Sequence, residues 1–132
     1  MQPFTNQPLN TPAHLAVLGS SKVGNFVVIT PLLRGLKAKY PACRLDYFGS
    51  DITQDFERHC SYIDWQLSIT GDRPDFLQRL ASQVQQRCQQ VGPYDLAINC
   101  DEFNEVNRAV LQMLQPSYLA GTEMSLDRAG VP

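Results

Sequence analysis

Chemistry in this chain has one natural starting point, the seven residues from Gly19 to Asn25 (Gly-Ser-Ser-Lys-Val-Gly-Asn). They follow a short apolar run and precede a helical pattern. The start of a helix presents unpaired N–H groups and a positive dipole end, which suits an anion or a hydroxyl. Ser20, Ser21 and Lys22 add polar side chains, and Gly19 and Gly24 allow close backbone approach. A phosphate-cradling Walker loop is excluded, because it ends in Gly-Lys-Ser/Thr and this loop ends in Gly-Asn-Phe. A dinucleotide fingerprint, G-x-G-x-x-G, is matched only in degenerate form, since Ser21 stands at the middle glycine. Asp46 lies loosely where a ribose-binding acid would sit, and its side chain could equally belong to a sheet face. The plain alternative is a tight turn that only joins a strand to a helix.

Carboxylates recur at comparable places. Asp51, Asp101 and Glu102 each follow a short apolar run, and Asn104 lies just beyond the last two. Each could serve proton transfer or hydroxyl binding; each could also cap a helix.

The elements that must position these residues read as alternating strands and helices. Leu15-Ala16-Val17-Leu18 has the short, fully apolar character of a buried parallel strand. A helix follows from about Phe26 to Tyr40, with Pro31 implying a kink or a regular start near Thr30. Arg44–Gly49 is a second strand, Asp51–Cys60 a short helix and Ile63–Ile69 a third strand. Leu77, Leu80, Val84, Cys88 and Val91 form one stripe at spacings of three and four, a helix starting near Pro74. Tyr94–Asn99 is a fourth strand. A helix over about Glu102–Gln115 turns Phe103, Val106, Val110 and Leu114 inward, and Tyr118–Gly121 is a fifth strand.

This alternation specifies an α/β fold, a Rossmann-like parallel sheet with helices on both faces. The expected strand order is 3-2-1-4-5. Ligands in such sheets bind beyond the carboxyl ends of the strands at the switch point. That selects four loops: Gly19–Asn25, Gly49–Thr53, Thr70–Arg73 and Cys100–Asn104. Residues 1–13 read as a flexible leader, 14–121 as one domain, and 122–132 as an irregular tail and a truncation point.

Bulk properties narrow the function. Hydrophobic residues make up 43% and charged residues 18% of 132 residues, a globular balance. A net charge of −2 without a like-charge block argues against a nucleic-acid module. Cys43, Cys60, Cys88 and Cys100 lack the two-residue spacing of a structural zinc site, and nothing calls for a metal or a cofactor. Cys88 and Cys100 read as buried thiols. The absence of a disulfide framework favours a reducing compartment, hence the cytoplasm. No run approaches the roughly 20 apolar residues that span a bilayer.

One stretch is specific enough to suggest a family. LAVLGSSKVGNFVVITPLLRGLKAKYPACRLDYFGS resembles the opening of the lipopolysaccharide heptosyltransferase family, the ADP-heptose:LPS type. Thr30-Pro31-Leu32-Leu33-Arg34-Gly35-Leu36-Lys37 and Tyr40-Pro41 carry the likeness most strongly. Tyr94–Asn99 resembles the family's Tyr-Asp-x-x-Ile-Asp strand, and Tyr118–Gly121 the short strand after it. The resemblance implies the N-terminal, acceptor-side half of a two-domain GT-B glycosyltransferase. Such an enzyme moves a hexosyl or heptosyl group, with inversion, from a nucleotide diphosphate sugar to a glycan or lipid-linked glycan of the cell envelope. It implies a cytoplasmic protein that can sit at the inner face of the plasma membrane, with the donor bound by a C-terminal domain missing from this chain.

The resemblance also assigns roles. The residue after the loop glycine is typically a catalytic Asp, and here it is Asn25. An amide can hydrogen-bond a sugar hydroxyl but cannot take its proton. Either the base has moved, with Asp51 or the Asp101/Glu102 pair as candidates, or the activity differs. Asn25 and Asp101 are the catalytic candidates; Ser20, Ser21, Lys22, Gly24, Asp51, Glu102 and Asn104 are the acceptor-binding ones. Two rival readings stand beside this: a Rossmann-like binding module without catalysis, and a degenerate dinucleotide-binding protein.

Overall fold

A computed structural model describes residues 1–19, 22–69, 75–101 and 105–121. In chain order the elements are β1 (Gln2–Pro3), β2 (His14–Leu18), α1 (Val23–Lys39), β3 (Arg44–Gly49), α2 (Gln54–Arg58), β4 (Trp65–Ser68), α3 (Phe76–Val91), β5 (Leu96–Asn99), α4 (Glu105–Leu114) and β6 (Tyr118–Gly121). They build one parallel sheet in the order β1-β6-β5-β2-β3-β4. The five expected strands keep the order 3-2-1-4-5, and the fold is the expected Rossmann-like α/β sheet.

The sixth strand is a correction. Residues 1–13 were expected to be a flexible leader, yet Gln2 and Pro3 pair with Tyr118 and Leu119 at the sheet edge. Phe4 and Leu9 pack on the core, and the Asn10 side chain donates to Asp95 at 2.7 Å. Two apolar anchors and one buried acceptor suffice to hold a segment whose composition alone reads as loose.

Period-two alternation divides the sheet into two cores. On one face Leu15, Val17, Leu45 and Tyr47 meet Phe26, Ile29, Leu33 and Leu36 of α1. On the other, Ala16, Leu18 and Phe48 meet Leu80 and Val84 of α3 and Val110, Leu111 and Leu114 of α4. Chain direction across the sheet reverses between β2 and β5, which places the switch point there.

Several boundaries differ from expectation. α1 begins at Val23 and runs straight through Pro31, so Gly24 and Asn25 belong to its first turn rather than to the loop. Pro31 is tolerated because its ring lies on the exposed side. On α3, Leu77 is 44% exposed although the stripe included it, whereas Leu80 and Val84 are buried and Phe76 and Cys88 pack partly against the same core. On α4, Val106 is exposed and Asn107 is buried in its place, since Asn107 donates to the Asn99 side chain at 3.0 Å.

At the amino edge, Asp46 is fully buried on the α3 face. It accepts from Arg87 Nε and Nη2 at 3.1 and 2.9 Å, from Tyr94 Oη at 2.6 Å and from His14 Nε2 at 2.7 Å. His14 Nδ1 lies 2.9 Å from the Gly92 carbonyl. Burial opposes ionisation of Asp46, but the bonds from His14, Arg87 and Tyr94 outweigh it and hold the carboxyl below its usual range. Asp46 is therefore committed inside the fold and unavailable to a ribose.

Candidate functional site

Three loops leave the carboxyl ends of the adjacent strands β5, β2 and β3, and they carry the described candidates in that order: Asp101, then Lys22 to Asn25, then Asp51. The first two are tied at their roots, where Cys100 N–H donates to the Leu18 carbonyl at 2.8 Å. The expected juxtaposition of the first and fourth loops holds at these roots. Ser20, Ser21, Glu102 and Asn104 lie outside the described residues, as does the Thr70–Arg73 loop.

Lys22 is the N-cap of α1, with extended backbone and no side-chain cap bond. The first helical bond runs from Phe26 N–H to the Lys22 carbonyl at 3.1 Å, so the amides of Val23, Gly24 and Asn25 form the open first turn. Gly24 and Asn25 are exposed there. The two loop glycines differ in their reason. A Cβ on Gly19 would overlap the hydroxyl of Tyr47, whereas one on Gly24 would meet nothing among the described residues. Gly19 answers a packing demand; Gly24 answers none among the described residues.

Asp51 is exposed and precedes α2, whose N-cap is Thr53 rather than Asp51. Its loop is fixed from below by Glu57, a buried carboxyl that sequence reading passed over. Glu57 accepts from the Thr53 hydroxyl, from Gln66 Nε2 at 3.2 Å and from Ser50 N–H at 3.4 Å. Burial nevertheless dominates and raises its pKa above the ordinary carboxyl range. The spacing Thr53-x-x-x-Glu57 was the available signal, one helical turn linking hydroxyl to carboxylate.

Tyr47 was also missed. It is fully buried against Phe26, edge-on at 5.4 Å between ring centroids, and its hydroxyl has no hydrogen-bond partner among the described residues. Burial, then the nearby Glu57, pushes its pKa well up, so the phenol stays neutral. Asp101 is half-buried, and its N–H donates to Asn99 Oδ1 at 3.3 Å. Beside it, burial and then Asp101 raise the Cys100 thiol to about 11, which keeps it protonated and unreactive. Among the described residues no three His, Cys, Asp or Glu side chains group as a metal site.

The parallel six-stranded sheet, its strand order reversing between β2 and β5, defines the chain as a Rossmann-like α/β domain. It has the fold of solved glycosyltransferases. A glycosyl transferase family 9 structure from Veillonella parvula matches with a TM-score of 0.71 at 18% identity over 83% of this chain. ADP-heptose LPS heptosyltransferase II from E. coli matches with a TM-score of 0.68 at 16% identity over 87%. This chain spans about a third of each, 32% in both cases. The C-terminal domain of a hydrogenase from Pyrococcus furiosus matches at 0.51 and 12% identity, covering 89% of this chain and 94% of that domain. No protein-family model and no curated protein sequence matches the chain.

Proposed function

We propose that this chain is the acceptor-side part of a glycosyltransferase that moves a sugar from a nucleotide diphosphate sugar to a cell-envelope glycan or lipid-linked acceptor. The observation that carries the reading is that the open first turn of α1 and Asp101 follow the adjacent strands β2 and β5 at the switch point, in a sheet shared with two glycosyltransferases at TM-scores of 0.71 and 0.68. In the reaction a base takes the acceptor hydroxyl proton, the oxygen attacks the anomeric carbon, and the bond to the diphosphate breaks with inversion. Asn25 orients the hydroxyl but cannot take its proton, which leaves Asp101 as the base. Ser20, Ser21, Lys22, Gly24, Asp51, Glu102 and Asn104 hold the acceptor. The donor's diphosphate needs a second domain, so the chain is inactive alone. The protein works in the cytoplasm, at the inner face of the plasma membrane; no helix among the described residues is long and apolar enough to cross one.

The test is an amide-shift titration of the labelled chain with soluble and lipid-linked oligosaccharides. Shifts gathered at Lys22–Asn25, Asp51 and Asp101 support the reading. Shifts at His14 and Asp95 instead, on the amino edge, reject it.

A second reading, a binding module without catalysis, is favoured by Asn25, an amide at the position where the resembled family has its carboxylate. Adding a donor-binding half in trans separates the two, since only the transferase part gains turnover.

A further inference from the structure

At the β6 side of the sheet the last backbone groups are all spoken for. Gln2 N–H donates to the Ser117 carbonyl at 3.1 Å and Phe4 N–H to the Leu119 carbonyl at 2.8 Å, so both turn toward β6. The residue between them turns its backbone outward, as alternate residues of a strand do. That residue is Pro3, which has no N–H to offer a further strand. Its carbonyl accepts from Gln7 Nε2 at 3.0 Å. Two residues on, Thr5 N–H donates to Gln7 Oε1 at 2.6 Å. One side-chain amide thus stands in for the backbone of another strand. It takes both the acceptor and the donor that the outer edge of β1 would otherwise present.

The anchors of this segment are separate from that closure. Phe4 lies against Tyr118 with 6.0 Å between ring centroids, and Lys39 Nζ donates to Asn6 Oδ1 at 3.0 Å. Leu9 packs on the core, and Asn10 is tied to Asp95. Gln7 serves the edge alone.

The strand beneath has no protection of its own. Tyr118-Leu119-Ala120-Gly121 carries neither charge nor proline, the usual means by which an edge strand discourages pairing. The opposite edge, β4, is flanked by α2, where the Gln54 carbonyl and the Glu57 carboxyl accept from Gln66 at 3.0 and 3.2 Å. A bare β6 is therefore matched to itself. A two-fold axis would set two identical uncharged edges face to face, with no like charges in the strand to oppose them.

We infer that residues 2–7 are a sheet terminator, and that the β6 edge beneath it is a self-association surface for a second copy of this chain. Pro3 and Gln7 end the sheet at its sixth strand and keep the chain monomeric. The inference is independent of the transferase reading, and its test involves neither donor nor acceptor.

The deciding variant is Pro3→Val combined with Gln7→Ala. It restores an outward N–H and frees the Pro3 carbonyl and the Thr5 amide, while Phe4, Leu9 and Asn10 keep the segment seated. Light scattering over a concentration series should find the wild-type chain monomeric. The double variant should self-associate about tenfold more tightly or better, the worth of two or more backbone hydrogen bonds. Deleting residues 2–7 bares β6 itself and should also give a dimer, which an excess of a synthetic peptide of residues 1–10 returns to monomer. Should the deletion unfold the chain, the double variant still decides, because its anchors are intact. In monomeric Gln7→Ala the Thr5 amide should exchange with solvent about tenfold faster than in wild type, as loss of one hydrogen bond allows. A double variant that stays monomeric with an unchanged thermal melt would overturn the inference. So would a wild-type chain that already pairs, or Thr5 exchange indifferent to Gln7→Ala.

Discussion

Gly19 and Tyr47 are fitted to one another: the tyrosine hydroxyl occupies the space a Cβ at position 19 would need. The phenol of β3 thereby reaches under the root of the first loop, where its hydroxyl is buried without a partner among the described residues. Gly19→Ala is expected to destabilise by about 1–3 kcal/mol, the usual cost of forcing extra volume into a packed core. Tyr47→Phe alone should be neutral or stabilising, because an unpaired buried hydroxyl carries a desolvation cost of about 1–3 kcal/mol. The double variant should regain part of the Gly19→Ala loss. Urea unfolding of the four proteins measures the coupling; strictly additive losses would mean the two residues do not meet.

Glu57 makes stability depend on pH in a defined direction. Its folded-state pKa is raised, by burial above all, so its contribution is fully present below the unfolded carboxyl pKa and is lost as pH rises through the folded value. Glu57→Gln has no such titration. The stability of wild type relative to Glu57→Gln should therefore fall between acid and neutral pH. Paired urea midpoints across that range test it, and a flat difference would place Glu57 in solvent.

Asp46 acts with the opposite sign. Its folded-state pKa is lowered, so its contribution is present above the unfolded pKa and disappears as pH falls through the folded one. Asp46→Asn should cost about 3–5 kcal/mol at neutral pH, as removing one partner of a buried ion pair does. It should also flatten the acid side of the stability profile. A cost under about 0.5 kcal/mol, a surface value, would mean the cluster is not closed.

These three residues mark where sequence reading stops. Strand order was legible because each strand is a short apolar run set between helical stripes. The position of Asp101 and of the first loop at the switch point followed from that order. Tyr47, Glu57 and the Asp46 cluster were not legible, because each depends on partners from other elements: Asp46 meets residues 32 and 41 positions away. α1 was expected from about Phe26, with Pro31 implying a kink or a start near Thr30, and it begins at Val23 because Gly24 and Asn25, residue types that also suit a loop, form its exposed first turn. Residues 1–13 were read from composition, which carries no information about the edge strand β6 that they cover.

Core truncation separates the two sides of α3. Leu80→Ala should cost about 2–4 kcal/mol and Val84→Ala somewhat less, as buried aliphatics do. Both are buried, whereas Leu77 is 44% exposed. Leu77→Ala should stay within about 0.5 kcal/mol. Equal losses at Leu77 and Leu80 in urea melts would mean that the outer side of α3 is covered in solution.

The proposed function makes its strongest commitment about turnover. The 132-residue chain should show no sugar transfer and no sugar-nucleotide hydrolysis, even as Asn25→Asp. Transfer requires the donor's anomeric carbon to be held within attacking distance of the acceptor oxygen, and such positioning can supply roughly 7–11 kcal/mol of barrier reduction. The leaving diphosphate also needs donors aimed at its developing charge. Both tasks are assigned to a second domain, so a carboxylate at position 25 supplies only a general base, a factor of roughly 10²–10⁴. That factor has nothing to act on until a donor is bound. With a donor-binding half from a related transferase added in trans, Asn25→Asp should exceed the Asn25 form, and Asp101→Asn should reduce what the Asn25 form retains. Turnover of a panel of nucleotide diphosphate sugars by each protein, with and without the added half, is the measurement. Clear turnover by the isolated chain would overturn the division of labour and assign nucleotide binding to the first loop itself.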